Sequence, residues 1–263
     1  MSRVIGVVSG KGGVGKTTFS INLGIALRKL GKKVVVVDCN VSTPHLAYYL
    51  GAENYSVTLN DVFRDEVDVR FTPTEAGGVM FIPSSEDLND ILNIDIASLR
   101  SHISKLCNGE IFDFIILDSA PGLGLEAISV LQACDEIIFV TKPIIPTLVD
   151  VTRCAELASR IGHKNFHVAL NMIRNKKYEL KALQAKGLFR TRILGGIPFD
   201  ETVMDSTALG IPMMWYRPES KVSESYMKIA AKLAGINYKK PSALEKFANK
   251  LKGEDKVDFS GFS

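Results

Sequence analysis

The run Gly10-Lys11-Gly12-Gly13-Val14-Gly15-Lys16-Thr17 constrains this chain more than any other stretch of its length. It satisfies the spacing G-x-x-x-x-G-K-[ST], and it lies between an apolar segment, Val4 to Ser9, and a helical pattern, Lys16 to Leu30. Glycines let a backbone curl until its N–H groups converge on phosphate oxygens, and a helix start adds partial positive charge there. Such a loop needs a strand to deliver it and a helix to receive it, so the motif predicts a fold as well as a ligand. Lys16 is expected to reach the β- and γ-phosphates of a nucleotide, and the Thr17 hydroxyl to hold magnesium. Gly10, Lys11, Gly12, Gly13, Val14, Gly15 and Thr18 complete the expected cradle.

The rest of the sequence repeats the strand–helix alternation. "KKVVVVD" ends at Asp38 and closes a βαβ unit, with Gly31 at the end of its helix. Later strands are predicted at "GVMFIP", "FDFIILD", "EIIFVT", "FHVALN" and "RILGGIP". The first four are strongly apolar, as expected for strands covered on both faces. Helical patterns lie at Ile96 to Leu106, Leu125 to Gln132, Thr147 to Ile161, Tyr178 to Lys186 and Glu224 to Ala234. "LNDVFRDEVD" predicts a shorter helix, followed by a turn at Gly77 and Gly78. The expected fold class is α/β, a single domain over residues 1–237 with a mostly parallel central sheet flanked by helices on both faces. A length of 263 residues suits one such core. Residues 238–263 are a basic C-terminal tail.

Two acids end apolar strands. Asp118 closes "FIILD" at the carboxyl edge of the sheet, where it would stand beside the magnesium, and Asp38 is a second candidate for the same shell. Each also suits a helix cap. Lys11 is an extra cation for a loop that Lys16 already serves. It either rests in solvent or projects toward a nucleotide held by a facing subunit, where phosphoryl transfer rewards added positive charge.

"GKGGVGKTT" resembles the deviant Walker A loop of the MinD/ParA family of P-loop ATPases, and the resemblance runs from Val4 to about Ala234. "VVVVDCNVSTPHLAYYLG" resembles the family's switch I, and "FIILDSAPGLG" its Walker B and switch II region. "LNMIRN" and "IPFDETVMDSTALGIPM" are similar to its adenine-side strand and the loop and helix that follow. The resemblance implies ATP and Mg2+ as cofactors and an ATP-dependent homodimer in which Lys11 reaches the partner's phosphates. It implies that Asn171 contacts the base, with Pro198 and Asp200 bordering it. The implied catalytic set is Lys11, Lys16, Asp38, Asn40 and Asp118, with Thr17, Asp38 and Asp118 around the metal. The implied function is a slow ATPase of the MinD type, archaeal or bacterial, that positions a machine such as the division apparatus and answers to a protein regulator or cargo.

Two residues depart from the family pattern. MinD-like proteins carry D-x-D in switch I, whereas this chain reads Asp38-Cys39-Asn40. Asparagine can accept a hydrogen bond from water but cannot take its proton. Slow hydrolysis and a long-lived ATP state are expected, or, as an alternative, an assembly scaffold with little turnover. Ile144, in "VTKPIIPTLVD", stands where MinD has a glutamate that contacts ribose across the dimer. It implies either a different interface or simple apolar packing.

Charge and cysteines bound the partners. The formal net charge is only +3, yet nine Lys or Arg residues fall between Arg160 and Arg192 against one acid, Glu179. That stretch suits non-specific DNA, as in a ParA-like partition ATPase, an acidic protein, or solvent. In "SALEKFANKLKG", Leu244, Phe247, Ala248 and Leu251 follow helical spacing, predicting a short amphipathic helix at about 242–252. Ser242 and Glu245 suit its capping box. In character it resembles the membrane-targeting helix of MinD, and two copies in a dimer would strengthen weak binding to an anionic membrane. Docking of this helix on the body is the alternative. Cys39, Cys107, Cys134 and Cys154 form no C-x-x-C pair, which argues against a metal-cluster carrier of the Mrp type. Met1 leads almost directly into "VIGVVS", so no signal peptide is expected. The expected location is cytoplasmic, or peripheral on the inner face of the cell membrane.

Overall fold

A computed structural model describes residues 2–52, 54–91, 94–180 and 192–240. The apolar strands are β1 (Arg3–Val8), β2 (Val34–Cys39), β4 (Val79–Ile82), β5 (Phe114–Ser119), β6 (Glu136–Thr141), β7 (Phe166–Ile173) and β8 (Arg192–Pro198), with a short β3 (Thr74–Ala76). They form one sheet in the order β3-β4-β2-β5-β1-β6-β7-β8, parallel throughout except for the antiparallel β3–β4 pair. The helices are α1 (Lys16–Lys29), α2 (Leu46–Tyr49), α3 (Leu59–Phe63), α4 (Leu99–Asn108), α5 (Leu125–Ala133), α6 (Ile145–Arg160), α7 (Thr202–Ala208), α8 (Met213–Tyr216) and α9 (Lys221–Ala234).

Period-two alternation explains why the strands read as continuous apolar runs. Val35, Val37, Ile115 and Leu117 face a core shared with Ile103 of α4, Val130 of α5 and Val151 of α6. Their neighbours Val34, Val36, Phe114 and Ile116 face a second core with Phe19 and Leu23 of α1 and Tyr226 and Ile229 of α9. Both faces are buried, so no position in these strands needs a polar side chain. The result is the single α/β domain that the sequence predicts.

The turn expected at Gly77 and Gly78 is present, in a hairpin whose first strand the sequence pattern does not predict, and two expected helices differ. The turn at Gly77 and Gly78 belongs to a β3–β4 hairpin, and both glycines take positive φ, 54° and 71°. Thr-Glu-Ala of β3 carries no apolar signal because tertiary contacts hold the hairpin instead. Arg28 reaches Glu75 and the Gly78 carbonyl, each at 2.7 Å, and Trp215 Nε1 donates to the Gly77 carbonyl at 2.7 Å. The helix at Leu59 stops at Phe63 rather than Asp68, since Asp65 adopts φ 57°. Tyr178 to Leu180 form a turn rather than a helix, tied to β6's exit by Leu180 N–H on the Pro143 carbonyl at 2.8 Å. Residues 181–186 of that expected helix, and the expected tail helix at 242–252, lie outside the described residues. No helix among the described residues is long and apolar enough to cross a membrane.

Candidate nucleotide-binding site

β1 ends at Val8 and α1 starts at Lys16, so the glycine loop connects strand to helix at the carboxyl edge of the sheet, between β5 and β6. Gly15 precedes α1 in a left-handed conformation, φ 84°. A side chain there is strained by that backbone, and its Cβ would also lie 2.4 Å from Asn171 Nδ2. Gly10 is required by close approach, since a Cβ would stand 2.5 Å from the Cβ of Asp150 on α6. The first turn of α1 has neither an acidic residue nor a capping side chain. Its N–H groups therefore remain available to an anion.

Beneath the loop, Asp118 is 1% exposed and held by three side chains of α1. Lys16 Nζ lies 3.1 Å from Oδ1, the Ser20 hydroxyl donates to the same oxygen at 2.8 Å, and the Thr17 hydroxyl donates to Oδ2 at 2.6 Å. Asp38 is the register partner of Asp118 on β2. Its carboxylate accepts the N–H groups of Asn40, His45 and Leu46 at 3.1, 3.2 and 3.1 Å. Burial, and then the neighbouring Asp118 charge, push the Asp38 carboxyl up to about 7. Two buried carboxylates share one ammonium, that of Lys16, which leaves negative charge for a cation to offset. The oxygen donors of Thr17, Asp38 and Asp118 suit magnesium. No group of three or more His, Cys, Asp or Glu gathers as a self-sufficient metal site among the described residues. Magnesium here would complete its shell with water and phosphate oxygens, as that ion ordinarily does.

The two loop lysines have different surroundings. Lys16 is 7% exposed inside the site. The Lys11 side chain is 56% exposed, and its ammonium lies 3.2 Å from Asp150 Oδ2, outside the cradle. Asn40 is turned inward: its Nδ2 donates to the Thr43 carbonyl and its Oδ1 accepts the Thr43 hydroxyl at 3.1 Å. The loop after β2 is tied to α5 through Ser42, whose N–H and hydroxyl donate to Glu126 at 2.7 and 3.2 Å. Ile144 is half-buried at the start of α6, while Ile145 beside it is exposed.

On the other side, a bulge in the β7–β8 ladder between Leu170 and Ile173 puts Met172 at φ 56°. The adjoining Asn171 carboxamide lies against the loop. Its Nδ2 donates to the Val14 carbonyl at 2.8 Å and its Oδ1 accepts the Met172 N–H at 2.9 Å. Pro198 and Asp200 line a cleft of about 620 Å3 with Phe199, Tyr216, Arg217 and Lys221. The Arg174 guanidinium stacks on Phe199, 3.6 Å from the ring centroid. Asp200 Oδ1 accepts the N–H and hydroxyl of Thr202 at 3.0 and 2.7 Å, bonds that lower its pKa from the ordinary value.

Within the basic stretch, Glu179 accepts the backbone N–H groups of Arg174 and Lys176, so its charge is spent on main chain. Lys181, Lys186 and Arg190 lie outside the described residues. The cysteines are dispersed, and Cys39, Cys134 and Cys154 are buried. Sequence reasoning missed Ser20, Thr43, Glu126 and Asp150. Only Ser20 left a local signal, standing three and four residues after Thr17 and Lys16 on the same helix face.

Comparison with known proteins agrees with this architecture. A protein-family profile, ParA, described as NUBPL iron-transfer P-loop NTPase, matches residues 1–234. An uncharacterised ATP-binding protein of Methanocaldococcus jannaschii is 31% identical over 260 residues, covering 96% of this chain and 98% of the relative. The cell division ATPase MinD of Pyrococcus furiosus superposes with a TM-score of 0.84 at 32% identity, over 89% of this chain and 99% of that one. The septum site-determining protein MinD of Pyrococcus horikoshii, complexed with Mg-ADP, gives 0.84 at 29% identity, over 97% and 99%. With its loop, paired strand-end acids and sheet order, this chain belongs to the ParA family of P-loop NTPases.

Proposed function

We propose that this chain is an ATP-dependent dimerising switch of the MinD type, which binds Mg-ATP and slowly hydrolyses it to ADP and phosphate. The observation that carries this reading is the separation of the two lysines. Lys16 is buried within its own loop, whereas Lys11 is exposed outside it with Asp150. On nucleotide binding, Lys16 would leave Asp118 for the phosphates, and the open N–H groups of α1 would receive their oxygens. Bound magnesium would neutralise charge on the β- and γ-phosphates, held by Thr17 with Asp38 and Asp118 organising its shell. Lys11 would exchange Asp150 for phosphate oxygens of a second subunit. Exposed Leu123 and Leu125 at α5, and Ile145 and Val149 at α6, flank this surface and would be covered by that subunit.

Asn40 supports slow turnover, because its amide is engaged by Thr43 and it has no basic lone pair for a proton. On the adenine side, Asn171 has one amide hydrogen left for a base, and Pro198 and Asp200 would border it. Gly10, Gly12, Gly13, Val14, Gly15 and Thr18 would complete the phosphate cradle. A regulator or cargo protein, and weak membrane attachment through the tail, complete the reading. Iron transfer, named in the profile's description, is not carried over, since the chain has no C-x-x-C pair.

Light scattering of the full chain in Mg-ATP and in Mg-ADP tests the switch. A dimer in ATP that decays to monomer over time is expected, with Lys11→Ala monomeric in both while still binding ATP. A wild-type chain that binds ATP yet stays monomeric would sink the switch.

A further inference from the structure

Three donors hold Asp118, and they differ in whether they can stay. The proposed function sends Lys16 to phosphate and Thr17 to magnesium. Ser20 has neither task. It is 0% exposed on α1, so its hydroxyl cannot turn to solvent. Among the described residues it has two acceptors within reach: Asp118 Oδ1 at 2.8 Å and the Lys16 carbonyl at 3.1 Å. A serine hydroxyl has one proton to give. An ionised carboxylate is the stronger acceptor, and the carbonyl already serves the helix, so the shorter contact takes the proton.

We infer that Ser20 is a positioning residue for Asp118. It holds Oδ1 when Lys16 moves to a nucleotide, so that Oδ2 stays aimed at Thr17 and the magnesium shell. This rests on the proposed function and goes beyond it, assigning part of the magnesium affinity to a side chain that touches neither metal nor nucleotide. Removing the hydroxyl would leave one carboxylate oxygen in a dry site without its fixed donor. The carboxylate would then be free to rotate, and the metal would lose an oriented partner. Nucleotide binding without metal uses Lys16 and the loop, so it would not need Ser20.

Calorimetric titration of ADP into the full chain separates these contributions. Affinity in EDTA reads the loop, and the gain on adding Mg2+ reads the coupling between metal and nucleotide. In Ser20→Ala the EDTA affinity should stay within about twofold of wild type, while the magnesium gain falls about tenfold. Ser20→Thr keeps the hydroxyl and should retain the gain within about twofold. An unchanged gain in Ser20→Ala overturns the inference. So does an equal loss in EDTA and in Mg2+, which would mark a damaged loop, or an equal loss of gain in Ala and Thr, which would exonerate the hydroxyl. A wild-type chain that binds no nucleotide overturns the proposed function, and this inference with it.

Discussion

The two ends of the candidate site are built differently. At the phosphate end, Lys16, Ser20, Asp38 and Asp118 are all buried, and each is bonded to another part of the site. At the proposed base end, Pro198, Phe199, Tyr216 and Arg217 line an open cleft, and Arg174 stacks on Phe199 at its wall. Phosphate oxygens carry full charge, and fixed donors in a dry setting act on charge most strongly. A base is flat and neutral, so stacking surface and a few polar edges serve it. The phosphate end should therefore be sensitive to single atoms, and the base end more tolerant.

Lys16→Ala should break that contrast most severely. ATP affinity is expected to fall about 100-fold or more, because a fixed cation leaves a water-poor site. Equilibrium binding with a fluorescent ATP analogue checks this, and a loss under tenfold would mean that Lys16 stays on Asp118 when nucleotide is bound.

The next largest effect concerns pH. The Asp38 carboxyl is raised from 3.8 to about 7 in the fold, so the folded chain holds this proton more tightly than the unfolded one. The stability contributed by the protonated group is full below pH 4 and is lost as pH rises through about 7. Melting temperatures in EDTA between pH 5 and pH 8 should fall with pH more steeply in wild type than in Asp38→Asn. Identical slopes would remove the charge conflict from the phosphate end.

Asn171 joins the two ends, and its effect should be intermediate. Asn171→Ala removes the donor to the Val14 carbonyl and the acceptor of the Met172 N–H, at a cost of about 1–3 kcal/mol. Denaturant unfolding of the nucleotide-free chain reads it. No loss of stability would show that the carboxamide does not brace the loop.

Asn40→Asp should have the smallest effect. It supplies a carboxylate but removes the donor to the Thr43 carbonyl, and phosphoryl transfer makes limited demand on a base. Phosphate release is expected to rise less than about tenfold. Unchanged turnover would mean that residue 40 does not set the rate.

Legibility in the sequence follows the same division. The phosphate end is local: a strand, eight loop residues and a helix start are contiguous, and Asp38 and Asp118 each close an apolar strand. Continuous apolar runs likewise reveal the central strands, since both faces are buried. The β3 strand leaves no pattern because exposed Glu75 stands between half-buried Thr74 and Ala76, and the hairpin is held from a distance by Arg28 and Trp215. The sequence pattern extends the helix at Leu59 too far because nothing in its composition announces the positive φ of Asp65.

By itself, the sequence determined the α/β alternation, the glycine loop and the acids at the strand ends, because backbone conformation and apolar periodicity are encoded within a few residues. Tertiary structure alone decided that Lys11 rests on Asp150, that Ser42 is tied to Glu126, and that Asn171 lies under a loop 157 residues earlier in the chain. These partners meet only because the parallel strands bring their carboxyl ends to one edge of the sheet. Which side chains then touch depends on packing distances of a few tenths of an ångström, and those leave no trace in local composition.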